Sequence, residues 1–154
     1  MPSQPRAQLT ELQSLIRGIQ VGFSSFYAKV LEPRKVSLAQ FAVLICLAQE
    51  EPRKMSAIAR SLHVSLPAVT HLVDRLQLKR MVVRRPDPRD RRVTMVAMTP
   101  LGRALVADTQ GRTVRILTAA FSRRRAGEHQ AILEFMAALR DGLEREITRT
   151  ESDA

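Results

Sequence analysis

Between residues 81 and 98 the chain departs from everything around it. Met81 to Arg85 and Val93 to Met98 are rich in Val, Met and Thr and carry no helical period, so they read as two strands. The segment between them, Pro86-Asp87-Pro88-Arg89-Asp90-Arg91-Arg92, contains two prolines and two aspartates, which specify a loop rather than ladder residues. The result is one β-hairpin with a stiff, basic tip. The rest of the chain is helix-periodic, so the expected class is mostly α with a small β-hairpin.

Leu9, Leu12, Ile16, Ile19, Phe23, Phe26 and Val30 form a single apolar stripe on a long helix, which Pro33 ends. Ser37 with Gln40 three residues on is a capping box, and it opens a second helix that stops near Glu50-Glu51-Pro52. Ser56 is expected to cap a short helix from Ala57 to Leu62. A break at His63-Val64-Ser65 then leads into a helix from Leu66 to Lys79. After the hairpin, Thr99-Pro100 starts a helix carrying Leu101, Leu105, Val114, Leu117 and Phe121, with Gly111 as a weak point. A last helix, from Glu128 to about Ile147, presents Ile132, Phe135, Met136, Leu139 and Leu143. Six helices and one hairpin result, with no linker long enough to separate independent domains. Residues 1–154 therefore form one unit, with a head at 37–99 and flanking helical segments at 9–31 and 100–147.

Charge locates the working part. The net charge is +10, and counting 7 basic and 4 acidic residues in 1–55, 9 and 3 in 56–99, and 9 and 8 in 100–154 gives segment nets of +3, +6 and +1. The middle segment holds more than half of the excess, and Arg80, Arg84, Arg85, Arg89, Arg91 and Arg92 crowd into it. One basic head on a nearly neutral frame is the footprint of a nucleic-acid reader.

Two short helices on a tight turn, followed by a basic hairpin, form the outline of a winged helix-turn-helix. Small Ala59 permits close crossing, Val64 is expected to plug the turn, and Val69 and Leu72 are expected to bury against Ile58 and Leu62. The opposite face of the second helix then carries Ser65, Pro67, Ala68, Thr70, His71 and Arg75. Short groups near its N-terminus suit deep entry into the major groove, while Arg75 and Lys79 suit phosphates. In the wing, Arg89, Arg91 and Arg92 stand beside Asp87 and Asp90. An aspartate one or two residues away aims a guanidinium, and an aimed arginine suits a narrow minor groove.

The run Leu72-Val73-Asp74-Arg75-Leu76, then Arg84-Arg85-Pro86-Asp87-Pro88-Arg89-Asp90-Arg91-Arg92, closed by Met98-Thr99-Pro100-Leu101-Gly102, resembles the signature of the MarR family of bacterial regulators. That pattern has Asp-x-Arg in the wing, an apolar residue and Thr at the end of the last strand, and Gly three residues after the Thr. The resemblance extends over residues 9 to 147. It implies a homodimer whose first and last two helices intertwine while two winged heads bind a pseudo-palindrome in double-stranded DNA. It also implies that Asp90 is the wing aspartate and Arg92 the minor-groove arginine it orients, a role that Arg89 or Arg91 can also fill. The family usually has Gly at the turn after the second helix of the motif, where this chain has Arg80. The function that follows is a sequence-specific transcriptional regulator, a repressor released by an effector. The alternative is an architectural protein that binds DNA without sequence preference.

Other features are read more plainly. The resemblance adds a small anionic or phenolic effector as a candidate partner, with Phe23, Phe26 and Tyr27 as candidate pocket residues beside their role as core, and Arg17 and Lys29 as candidate counter-charges. The lone Cys46 excludes an intramolecular disulfide and reads as a buried, inert thiol. His63, His71 and His129 lack metal-ligand spacing, so no metal or cofactor is expected. No Gly-rich phosphate loop and no nucleophile beside a base argues for an enzyme. No apolar run is long enough to span a bilayer and no signal peptide opens the chain, so a cytoplasmic protein without a membrane partner is expected.

Overall fold

The computed structural model describes residues 4–152. They form two compact units, one running to Gln110 and one from Gly111 on. The elements are α1 (Gln4–Leu31), one 3₁₀ turn (Glu32–Arg34), α2 (Leu38–Gln49), β1 (Arg53–Lys54), α3 (Met55–Ser61), α4 (Leu66–Leu78), β2 (Val82–Pro86), β3 (Thr94–Met98), α5 (Pro100–Phe121) and α6 (Ala126–Ser152). Six helices and the hairpin are where the sequence puts them. The last helix starts two residues earlier than expected and runs five residues further, and α5 continues through Gly111 without a break.

The hairpin gains a third strand. The sheet order is β1-β3-β2, all antiparallel, with Val82 opposite Met98, Pro86 opposite Thr94, and Arg53 opposite Val96. A two-residue strand has no period of its own, and Arg53-Lys54 becomes one only because β3 offers an open edge. Alternation along β3 buries Val96 and Met98 against the helices. The core beneath them joins Leu44 and Leu47 of α2, Ile58 of α3, Val69, Val73 and Leu76 of α4, Val82 of β2 and Leu105 of α5, each 1% exposed or less. Burial of this apolar surface is the main stabilising contribution to the head.

Helix starts follow local chemistry in two cases and depart from it in one. The capping box forms, with Gln40 N donating to Ser37 Oγ at 3.2 Å and Ser37 N donating to Gln40 Oε1 at 3.1 Å. Ser65 Oγ accepts from Ala68 N at 3.4 Å, with Pro67 in the first turn. Ser56, by contrast, is not the cap of α3. The helix begins at Met55 behind Lys54, whose side chain makes no capping bond, because β1 delivers the chain straight into the first turn.

Three helical ends share one device. Val36 N donates to Leu31 O and Lys35 N to Glu32 O; Val64 N donates to Ala59 O and His63 N to Arg60 O; Met81 N donates to Leu76 O and Arg80 N to Gln77 O. Each pair is a Schellman motif, whose penultimate residue must take a left-handed conformation. Lys35, His63 and Arg80 do so with φ of 51°, 52° and 56°. Glycine is the least strained choice at such a position, and here all three are basic residues set beside the last carbonyls of a helix. The same closure corrects the expectation for Val64: backbone bonds shape the turn, and the Val64 side chain is 42% exposed rather than plugged in. Leu72 is only half-buried against the core.

The second unit pairs the end of α5 with α6. Glu128 Oε2 accepts from Arg125 N at 2.8 Å, and His129 stacks on Phe121 at a ring separation of 4.1 Å with Nε2 3.0 Å from Phe121 O. Its large apolar residues are mostly uncovered: Val114, Ile116, Leu117, Leu133, Phe135, Met136, Leu143 and Ile147 are all exposed.

Candidate nucleic-acid interface

The exposed face of α4 carries the residues that the sequence singles out for base contact. Ser65, Pro67, Ala68, Thr70, His71 and Arg75 are all exposed, as the helical period requires once Val69, Val73 and Leu76 face the core. Thr70 Oγ1 donates to Leu66 O at 2.9 Å, so its hydrogen is engaged while its methyl and lone pairs remain presented. Ser65 is engaged in the opposite sense, its Oγ accepting from Ala68 N as the cap. The side chains of His71 and Arg75 make no hydrogen bond or ion pair among the described residues. Leu66 at the helix tip is exposed too, an apolar contact that its place at the start of the helix concealed in the sequence.

Lys79, which the sequence assigns to phosphates, has two of its three donors engaged inside the head. Its Nζ donates to Gln40 Oε1 at 2.9 Å and to the Lys35 carbonyl, so it ties the end of α4 to the capping box of α2. Burial, with the charges of Arg75 and Lys35 nearby, lowers its pKa from the ordinary lysine value. No local pattern marks this contact, because its partners lie 39 and 44 residues away.

The wing is built by its aspartates. Asp87 Oδ1 accepts from Arg89 N at 2.8 Å, while Asp87 N donates to Val93 O and Val93 N to Asp90 O, both at 2.9 Å, which close the tip. Asp90 then grips Arg92 at three points: Oδ1 accepts from Arg92 N at 3.1 Å and from Nε at 3.0 Å, and Oδ2 accepts from Nη2 at 3.2 Å. The Arg92 side chain is 91% exposed, yet its guanidinium has a fixed direction. The Arg92 side-chain bonds, then its N–H, hold the Asp90 carboxyl below the usual carboxylate range, with Lys54 adding a smaller effect. Arg89 and Arg91 are exposed, and their side chains have no partner among the described residues.

A cleft of about 550 Å³ separates the two contact elements, lined by Leu66 and Thr70 of α4, Arg92, Val93 and Thr94 of the wing, Lys54, Met55 and Ser56, and Arg84. Of the residues counted as basic in the head, Arg92, Arg89 and Arg91 project from the wing, while Arg84 and Lys79 bond within the head.

The comparisons follow this geometry. The sequence model of the MarR family matches residues 36–94, from the start of the head to the first residue of β3. The multiple antibiotic resistance protein MarR of Salmonella typhimurium is 30% identical over 112 residues, covering 69% of this chain and 74% of that protein. The chain belongs to the MarR family. The HTH-type transcriptional repressor MdtR of Bacillus subtilis is 32% identical over 95 residues, a match spanning 57% of this chain and 61% of that repressor. The structure of the YusO protein from Bacillus subtilis superposes with a TM-score of 0.71 at 26% identity, covering 92% of this chain and 98% of that one. MarR-family proteins are transcription regulators that bind DNA, not enzymes.

The MarR signature residues have physical reasons in this chain. Thr99 Oγ1 donates to Arg80 O at 2.7 Å and accepts from Gly102 N at 3.2 Å, and Thr99 N donates to Met81 O at 3.0 Å. A Cβ on Gly102 would collide with that same Met81 carbonyl, so the close approach of α5 to the turn after α4 requires glycine. Arg80, where the resemblance leads one to expect Gly, takes the left-handed conformation that the Schellman closure demands.

The candidate effector residues divide. Phe23, Phe26 and Tyr27 cluster, with ring centroids 5.2 to 6.4 Å apart, and Tyr27 continues to Phe41 at 5.7 Å. Only Tyr27 lines the adjacent cavity of about 310 Å³, with Leu38, Phe41, Ala42, Ile45, Cys46, Gln49, Ser61 and Leu62. Neither Arg17 nor Lys29 lines it. Cys46 is buried, and its sulfur and carbonyl oxygen both accept from Arg53 Nη1. Among the described residues no cluster of three metal-ligating side chains occurs, and no helix is long and apolar enough to cross a membrane.

Proposed function

We propose that this chain is a sequence-specific transcriptional repressor that binds a pseudo-palindromic operator as a homodimer. The observation that carries the reading is the Arg92 guanidinium, exposed at the wing tip but held in a fork by Asp90, on the same head as an α4 face of short polar groups. In this reading Thr70 and His71 meet base edges in the major groove, Arg75 neutralises a phosphate, and Arg92 enters the adjacent minor groove with Arg89 and Arg91 flanking it. Residues 37–99 are the reading head, and 9–31 with 100–147 the dimerisation region. The uncovered apolar residues of α1, α5 and α6 support that division, since water-exposed stripes of this kind mark association surfaces. Pairing two chains would set two copies of α4 about 34 Å apart, one DNA turn.

The cavity beside Tyr27 is the proposed effector site. Its lining is apolar with the Tyr27, Ser61 and Gln49 polar groups and no cation, which favours a small phenolic molecule over a strongly anionic one. It touches α1, α2 and α3 together, so an occupant would bias the head relative to α1, with a coupling on the order of 1 to 3 kcal/mol.

Competition binding tests the central claim. A duplex selected by the purified protein is expected to compete about a thousandfold or more better than random duplex. Equal competition by any duplex would instead support the architectural reading.

A further inference from the structure

Arg84 belongs by sequence to the basic cluster of the wing, but its side chain faces the other way. It stands in β2 opposite Val96 and points beneath the wing to α4. There Nη1 donates to Asp74 Oδ1 at 2.5 Å and to Gln77 Oε1 at 3.4 Å, and Nη2 donates to Thr70 O at 3.4 Å. One guanidinium thus holds two turns of a helix from a strand. Asp74 is the sole acidic residue on α4, and without Arg84 its carboxylate would lie unpaired on a helix meant for phosphates. The side chain of Arg84 is 29% exposed and lines the cleft between α4 and the wing, the passage a DNA backbone would follow between major- and minor-groove contacts.

We propose that Arg84 is a positioning residue that fixes the distance between the recognition helix and the wing, and so the base-pair spacing the head accepts, without contacting DNA. The inference rests on the DNA-reading function proposed above. Its charge is balanced by Asp74 and three of its five N–H donors are engaged by α4, which makes it a weaker phosphate ligand than a free arginine. Arginine suits the task because its planar fork reaches a carboxylate, an amide oxygen and a main-chain carbonyl at once, which a lysine ammonium on a flexible stem does not fix in direction.

The test uses the full chain and its selected duplex, with one base pair inserted or removed between the segments protected by α4 and by the wing. Wild type is expected to lose about tenfold or more in affinity on such a change, comparable to a mismatched pair. Arg84→Met and Asp74→Asn are each expected to bind the intact duplex about five- to thirtyfold more weakly, to discriminate less between spacings, and to keep the wild-type salt slope. The double variant should be no weaker than either single one, and Asp74→Arg with Arg84→Asp should recover part of the spacing preference. If Arg84→Met does not fold, the near-isosteric Asp74→Asn carries the test, with thermal unfolding as the control. A salt slope reduced by about 0.9 in Arg84→Met would identify a phosphate contact and overturn the strut. Tighter binding by Asp74→Asn with intact spacing preference would make the pair an electrostatic nuisance rather than a strut, and would overturn it as well. Wild-type protein with no site preference overturns the regulator reading and the strut with it, whereas wild-type selectivity that persists unchanged in Arg84→Met overturns the strut alone.

Discussion

The head and the second unit put their apolar residues to opposite use. Around α2 to β3, Leu44, Leu47, Ile58, Val69, Val73, Leu76 and Val96 are wholly buried, and polar groups such as Gln40, Lys79 and Arg84 are tied across elements. From Gly111 on, Leu117, Leu133, Phe135, Met136 and Leu143 face solvent; Gln130 bonds to Glu134, Arg140 to Asp141 and Thr148 to Glu144 within one turn, and His129 reaches Phe121 O across eight residues. The first unit completes its core with Leu31 of α1 and Leu105 of α5 added to the head, while the apolar residues of the second unit are mostly uncovered. Stability of the first is therefore a property of one chain, and that of the second depends on what covers it.

The largest expected effect breaks the head alone. Leu44→Ala removes a fully buried side chain at the junction of α2 and α5 and should cost about 2 to 5 kcal/mol, read as a lower thermal midpoint that does not vary with protein concentration. A concentration-dependent loss there would erase the distinction between the units. Next, Phe135→Asp with Leu143→Asp on α6 should weaken association by about 2 to 4 kcal/mol while sparing the head. Light scattering should then fall from twice 17.3 kDa towards 17.3 kDa, and a wild-type monomer at micromolar concentration would contradict the covering role assigned to a second chain.

Smaller effects test the head's surface. Arg92→Ala should lower operator affinity about tenfold and reduce the salt slope by about 0.9, because an aimed but solvated cation contributes to binding and not to folding. Arg80→Gly should leave stability unchanged or raise it by up to about 1 kcal/mol, since it relieves a left-handed non-glycine residue at a position glycine occupies without strain. The smallest concerns pH. The folded-state pKa of Asp90 is depressed, so its grip on Arg92 is fully present above the ordinary aspartate pKa of about 3.9 and is lost only as pH falls through the lower, folded value. The Arg92 Nε–H resonance should hold steady from pH 8 to 5, and a change in that window would show that Asp90 does not set its direction.

Much of this architecture is legible in local chemistry. Ser37 with Gln40, Ser65 before Pro67, and Thr99 before Pro100 mark helix starts through bonds spanning three residues, and alternation places Val96 and Met98 inward. The wing's Asp-x-Arg grip is equally local, though spacing leaves Arg89, Arg91 and Arg92 all open and only the family resemblance singles out Asp90 with Arg92. What escapes is non-local. Arg53-Lys54 is a strand only beside β3, Met55 starts α3 because β1 feeds it, and Val64 is exposed because main-chain bonds already close its turn. Lys79 and Arg84 look like two more cations for phosphates until their partners come into place.

The sequence by itself determined the order of elements, the capped helix starts, the stiff wing and the concentration of positive charge in residues 56–99, because each depends on neighbours within a turn or two. The tertiary structure decided which of those charges remain free. A side chain's availability depends on acceptors brought near it by packing, and for Lys79 and Arg84 those acceptors lie 39 and 10 residues away.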